Sequence, residues 1–484
     1  MKILLTGATG YIAKRLLPVL ISEGHEVVCC VRDRRRFDAS PYDPAYISVI
    51  EVDFLNKTTL DSIPHDIEAA YYLIHSMTAS IDDFECLEKE SARNFRDYID
   101  KTNARQVIYL SGIVNDKLLS KHLLSRKAVE DTLKEGGYHL TTLRAGIIVG
   151  SGSASFEIIR DLVEKLPVMV APRWVNTRCQ PIAIGNVIEY LKGVLMNEKT
   201  FGKSFDIGGP DVLSYKEMLL RFAEVRNLKR RIFVLPVLTP RLSSYFLYFI
   251  TSTSYKLAAN LVNSMKVEVV CCENNLNKII PIDLISYKKA VRRAFDKIMQ
   301  EEVLSSWTDA LSERALERGI SRLVNMPCFG CIIDKKRRVI KDEKAVLKCI
   351  WTIGGRNGWY FATRLWHIRG VFDKFLGGVG YHRGRRSPTR LHPGDAIDSW
   401  RVLLASKQEK RLILYSELKM PGEAWLEFRI KDNVLYQTHT FRPLGLMGRI
   451  YWIAILPVHH FIFSGMIRKI AKCRTLPKIE TAAR

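Results

Sequence analysis

The sequence predicts an α/β protein: a doubly wound parallel sheet with a small substrate lobe, followed by an α+β domain of antiparallel strands closed by one long helix. Three observations carry this. Short β-branched runs alternate with longer amphipathic stretches through the first 150 residues, and strands separated by helices need a parallel sheet covered on both faces. A glycine-rich turn joins the first run to the first amphipathic stretch. Beyond about residue 330 the alternation stops and strand-like runs follow one another across short turns, the pattern of an antiparallel sheet.

The predicted strands of the first domain lie at 3–6, 26–31, 47–52, 69–74, 106–110 and 139–143, with helices at 11–23, 82–102 and 122–135. After Gly150 the pattern turns irregular, with Pro167, Pro172, Pro181 and a turn at Gly208-Gly209-Pro210, and helical stretches continue to about Arg322. This is the expected substrate-side lobe. A break at Asn325-Met326-Pro327-Cys328-Phe329-Gly330-Cys331 divides the chain into residues 1–325 (lobe about 150–325), a linker at 326–340 and a second domain at 341–484. In that domain strands are expected at 398–404, 411–420, 424–430 and 433–441, with turns at Pro421-Gly422 and Lys431-Asp432-Asn433 and a closing helix over 449–473.

Of the 484 residues 47% are apolar, 10% aromatic and 26% charged, a globular composition that excludes disordered, collagenous and disulfide-scaffold chains. The net charge is +23, of which +18 falls between Asp334 and Arg484, with 30 basic and 12 acidic residues. A C-terminal excess of this size favours acidic partners. The ten cysteines read as small buried apolar residues of a reducing compartment, with no disulfide framework. The chain starts on the strand-like Met1-Lys2-Ile3-Leu4-Leu5 and shows none of the features of a signal peptide, so a cytoplasmic protein is expected. The most apolar stretch, 450–466, is interrupted by Pro457, His459, His460 and Ser464; it is short for a span and remains a candidate for contact with the inner membrane face.

Thr6-Gly7-Ala8-Thr9-Gly10-Tyr11-Ile12-Ala13 follows the first strand. Gly7 permits the tight turn, Gly10 lets the backbone approach a pyrophosphate, and Ala13 keeps the helix close to the sheet, so that the anion sits at a helix N-terminus. With its strand before and helix after, this spacing points to a dinucleotide. The second strand runs into Arg32-Asp33-Arg34-Arg35-Arg36. Arginines there can clamp a 2′-phosphate, which favours NADP, while Asp33 leaves NAD possible.

Together with Val52-Asp53-Phe54 after the third strand and Leu110-Ser111-Gly112 after the fifth, these residues resemble the atypical short-chain dehydrogenases, in particular the NmrA-like and complex I accessory-subunit-like branches. The resemblance implies a Rossmann fold over about residues 1–325. It implies adenine contacts for Asp53 and Phe54, a path beside ribose and nicotinamide for Leu73, Ile74, His75 and Ser76, and a border to the nicotinamide at 143–147. Ser111 takes the position of the family's serine. Where the family carries Tyr-x-x-x-Lys, this chain has His122 and Arg126, so the usual proton-transfer dyad is absent. Either His122 acts as the acid with Arg126 holding the ribose, or His122 is a surface residue at a helix start. His75 is the other candidate acid. Two functions follow: an NAD(P)-dependent oxidoreductase or isomerase with unusual acid–base groups, acting on an apolar carbonyl or quinone-like substrate with NADP favoured, or a non-catalytic NAD(P)-bound sensor or assembly factor.

Further on, the segment 351–364 followed by Gly377-Gly378-Val379-Gly380, Pro393-Gly394-Asp395, Asp398-Ser399-Trp400-Arg401-Val402, 421–428 and Phe441-Arg442-Pro443 resembles a domain of unknown function fused behind such dehydrogenases in bacteria. That resemblance implies a START-like helix-grip fold over about 335–484, whose sheet and helix enclose a small apolar ligand. Trp351, Trp359, Trp366, Trp400 and Trp425 either line that cavity or form core. The basic run 335–338 with Arg383, Arg385, Arg386 and Arg390 suits anionic lipid headgroups or plain solvation. No nucleic-acid reader fold accompanies it. Cys328 and Cys331 lack a second ligand pair, and His459 and His460, about 100° apart on a helix, cannot share a metal; no metal is expected.

Overall fold

The computed structural model describes residues 1–473 except 35–36, 75–83, 115–120, 236–261, 263–264, 300–330, 382–384, 386 and 388. They form two compact units, one up to Met299 and one from Cys331.

The first unit is built on seven strands: β1 (Lys2–Leu5), β2 (Glu26–Val31), β3 (Ile47–Glu51), β4 (Ala69–Tyr72), β5 (Gln106–Gly112), β6 (His139–Ala145) and β7 (Ser204–Ile207). Their order is β7-β6-β5-β4-β1-β2-β3, parallel throughout. Six of these are the predicted strands. The seventh comes from the stretch assigned to the lobe: Ser204 pairs with Thr142 and Ile207 with Ala145. Four residues are too few for a periodicity to register, so this pairing became visible only in the fold.

Helix α1 (Ala13–Ser22) buries Ala13, Leu16, Leu17 and Leu20, spaced as one helical face, against the sheet core with Ile3, Val27 and Tyr71. On the other face α2 (Phe84–Ile99) and α3 (Lys121–Lys134) cover Leu4, Val28, Tyr72 and Tyr109. Helix α5 (Ile184–Gly193) packs beside α1 on the first face, whereas α4 (Ala154–Lys165), α6 (Tyr215–Val225) and α7 (Tyr287–Met299) form the expected lobe. Its core joins Phe156, Met218, Phe222 and Val291, and α6 opens on a Ser214/Glu217 capping box.

The second unit is a six-stranded antiparallel sheet of order β8-β13-β12-β11-β10-β9. In chain order it runs β8 (Ile332–Val339), α8 (Glu343–Trp351), α9 (Thr363–Phe375), β9 (Ala396–Ile397), β10 (Trp400–Ser406), β11 (Arg411–Ser416), β12 (Gly422–Lys431), β13 (Val434–Pro443) and α10 (Gly445–Ala471). β8 occupies residues expected to be linker. The run Lys335, Lys336, Arg337, Arg338 lies on an edge strand, where lysines and arginines guard the open backbone against further pairing.

One expectation is corrected here. Cys349 and Cys473 form a disulfide across 124 residues; no local pattern could foreshadow it, since only packing of α8 against α10 brings the cysteines together. Helix α10, the expected closing helix, packs on β13 and β8 and buries Ile462, Phe463, Met466, Ile467 and Ile470 while Leu446, Ile453 and Phe461 stay exposed. A single sheet covers only one helix face. The described residues contain no group of His, Cys, Asp and Glu able to hold a metal, and Trp351, Trp359, Trp366 and Trp400 share one core.

Candidate functional site

The strand order reverses between β1 and β4, and in an open parallel sheet the crevice at such a reversal, beyond the carboxyl ends of the strands, is where ligands bind. Here Thr6 ties the two strands together. Its hydroxyl donates to the Tyr71 carbonyl at 3.0 Å and accepts the Leu73 N–H at 3.0 Å.

Gly7 follows with φ of +63°, and a Cβ there would meet the Leu73 carbonyl oxygen at 2.8 Å. Left-handed backbone and close approach both require glycine. The Gly10 N–H donates to the Gly7 carbonyl at 2.7 Å, and Gly10 is exposed at the turn. Ile12 caps α1 with no side-chain hydrogen bond and no acidic residue in the first turn, so the positive end of the helix is left for an anion. Thr9, Tyr11 and Ile12 are half-buried around it. The Arg15 guanidinium lies 3.9 Å over the Tyr11 ring and donates to the carbonyls of Tyr11 and Ser151, each at 2.9 Å. This anchor from α1 to the segment before α4 was missed in the sequence, where Arg15 is merely one cation of an amphipathic helix. Burial pushes the Tyr11 phenol up to about 12.

At the end of β2, Arg32 and Arg34 are exposed while Asp33 is buried; Arg35 and Arg36 lie outside the described residues. Beyond β3 the Asp53 carboxylate accepts the Leu55 N–H at 3.1 Å. The Phe54 ring is buried 5.6 Å from that of Phe95, and its carbonyl accepts from Asn94 Nδ2 at 2.8 Å. Leu73 and Ile74 continue β4, half-buried. His75 lies outside the described residues.

Ser111, near the end of β5, is buried, and its hydroxyl has no hydrogen-bond partner among the described residues. Below it on the same strand face, the Tyr109 hydroxyl donates to the Arg126 carbonyl on α3 at 3.4 Å. This contact places the Arg126 backbone of α3 beside β5. Burial raises the Tyr109 phenol to about 12, against the pull of the Arg126 guanidinium and of the neighbouring Ser111 hydroxyl. His122 lies in the first turn of α3, but its side chain is outside the described residues. Arg144, on β6 opposite Ser111, grips the buried Glu130 carboxylate of α3 at 2.8 and 3.1 Å, and Ser204 of β7 donates to the same carboxylate at 2.7 Å. This network fixes the helix that carries His122 and Arg126. The sequence signal for it was faint: a glutamate one helical turn past Arg126 and a lone arginine in an apolar strand.

A glycine cradle at a strand reversal and an uncapped helix start fit a dinucleotide. The first unit is an NAD(P)-binding Rossmann domain: a family model described as NAD(P)H-binding matches residues 7–161. A second family, described as protein of unknown function (DUF2867), matches residues 332–466, so the second unit carries that domain. No curated protein matches the chain. Among solved structures, a nucleoside-diphosphate-sugar epimerase from Staphylococcus aureus is 14% identical over 60% of this chain and 100% of its own, with a TM-score of 0.50. UDP-glucuronic acid 4-epimerase from Bacillus cereus, in complex with NAD, is 16% identical over 62% of this chain and 100% of its own, with a TM-score of 0.47. The Staphylococcus structure is a likeness of fold.

Proposed function

We propose that the protein is an NADP(H)-dependent oxidoreductase acting on an apolar carbonyl or quinone-like substrate. The observation that carries this reading is the buried hydroxyl of Ser111 near the carboxyl end of β5, which makes no hydrogen bond among the described residues, since a buried polar atom without a partner is costly and a substrate oxygen would relieve it. In this reading Gly7, Thr9, Gly10, Tyr11 and Ile12 receive the pyrophosphate, Arg32 the 2′-phosphate, and Asp53 and Phe54 the adenine side. Ile74 and His75 run beside the ribose and nicotinamide. When bound, the cofactor supplies hydride to the carbonyl carbon. Ser111 donates a hydrogen bond to the carbonyl oxygen, Arg126 orients the ribose, and His122 gives the proton.

The second unit, in this proposal, is a START-like helix-grip module that stores or presents the apolar ligand, in a protein of the cytoplasm or its membrane face. Its order of strand, two helices, antiparallel strands and long final helix supports that reading. So do the indole N–H groups of Trp366 and Trp400 and the Gln437 side-chain oxygen, buried without partners among the described residues.

Oxidation of NADPH by the purified protein, followed by absorbance with quinones, enones and isoprenoid carbonyls, is the test. Turnover of one of these classes is expected. Tight cofactor binding with no turnover of any would replace this reading by that of a non-catalytic sensor.

A further inference from the structure

Two helices of the second unit show solvent an apolar face that its core leaves uncovered. On α9, Ile368, Val371, Phe372 and Phe375 are exposed, and their spacing of three and four residues makes one stripe. On α10 a second stripe holds Leu446, Ile450, Ile453 and Phe461, also exposed. The helices are bridged: Arg369 of α9 donates to the Tyr451 hydroxyl of α10 at 3.4 Å, and Phe361, just before α9, lies edge-on to Phe461 with ring centres 5.1 Å apart. Single exposed apolar residues need no explanation, but contiguous stripes on neighbouring elements mark a surface that binds something.

The charges say what it binds. Every exposed charged side chain on these helices is basic, namely Arg364, Arg449, Arg468 and Lys469. The one acidic residue, Asp373, is buried and accepts the Gly380 N–H at 2.8 Å. The geometry points to a docking face for an anionic lipid bilayer, with the α9 and α10 stripes lying in the headgroup boundary and the arginines and lysine meeting lipid phosphates. An apolar face rimmed by cations is the composition of an interfacial helix.

Two other occupants fit less well. A second copy of the chain paired through this face would set basic rim against basic rim, which opposes a two-fold interface. A transmembrane position for α10 has its length and apolar character in its favour, since residues Leu446–Ala471 pass for a span by composition. However, Phe463, Met466, Ile467 and Ile470 are packed in the core of the unit, and Gln437 of β13 donates to the Phe463 carbonyl at 3.0 Å. The helix cannot enter the bilayer without opening that core, so it lies along the surface.

Flotation of the full chain with vesicles of phosphatidylcholine, with and without phosphatidylglycerol, is the test, run beside the double variant Phe375→Glu/Ile453→Glu. Both positions are exposed, and circular dichroism and thermal unfolding should match the parent. The parent is expected to float with the anionic vesicles about tenfold more than with neutral ones, and to lose that excess in high salt and in the double variant. Absence of flotation at low salt overturns the proposal. Binding that survives high salt and yields only to detergent replaces it with a spanning helix. A lipid-independent dimer in sedimentation, abolished by the double variant, replaces it with self-association.

Discussion

Leu73 and Gly7 meet where the strand order reverses: the Leu73 N–H is held at 3.0 Å by the Thr6 hydroxyl, which turns its carbonyl toward the space a Gly7 side chain would fill, 2.8 Å from the Cβ position. A Gly7→Ala substitution adds a left-handed alanine, costing about 1–2 kcal/mol, to a clash with backbone. The expected result is loss of most cofactor affinity in calorimetry, with a lower unfolding midpoint. Unchanged affinity would show that the loop does not hold the dinucleotide.

Arg32 is exposed at the end of β2, and in the proposed reading its charge favours the phosphorylated ribose. Arg32→Ala should cost about 1–3 kcal/mol of NADPH affinity, the scale of a charge-assisted hydrogen bond, and leave NADH nearly unaffected. Equal affinity of the parent for both cofactors would refute the preference.

Because the Ser111 hydroxyl makes no hydrogen bond among the described residues, Ser111→Ala is expected to leave stability unchanged or slightly raised while turnover falls by about 10²–10³, the scale of losing a hydrogen bond to a developing oxyanion. A loss of stability would assign Ser111 to the fold instead. Steady-state rates of His122→Ala complete the comparison: a near-dead His122 variant beside an active Ser111 variant identifies the histidine as the essential group.

Asp398, at φ of +51°, accepts from the indole N–H of Trp359 at 2.9 Å and the Gly355 N–H at 3.2 Å. Burial pushes its carboxyl up to about 6, although these donors and Arg385 favour the charge. A raised carboxyl pKa means that the stability contributed by the protonated form is fully present below the ordinary aspartate pKa and is lost as pH rises through about 6. Asp398→Asn keeps an acceptor and suits the left-handed backbone. In urea unfolding the variant should gain about 1–3 kcal/mol over the parent above that range and nothing near pH 4; a pH-independent difference would exclude Asp398 as the cause.

Much of the fold was legible because it rests on local pattern. The six strands before residue 150 announced themselves by β-branched runs between amphipathic stretches, and the glycine loop by a spacing that backbone sterics impose. Strand β7 was not legible, since Ser204–Ile207 belongs to the sheet only through its pairing with β6. Nor was β8, where a run of four cations reads as solvated chain until its partner strand is known.

The amino-acid sequence by itself determined the parallel first sheet, the turn that cradles a dinucleotide, and the concentration of positive charge toward the C-terminus, because each depends on residues adjacent along the chain. Tertiary structure alone decided that the Ser111 hydroxyl is buried without a partner among the described residues, that Arg144 and Ser204 converge on Glu130, that Cys349 and Cys473 are bonded, and that α10 keeps one face exposed. Those depend on which distant residues occupy the same volume, and a side chain's partners, like its exposure, are properties of that volume and not of its neighbours in sequence.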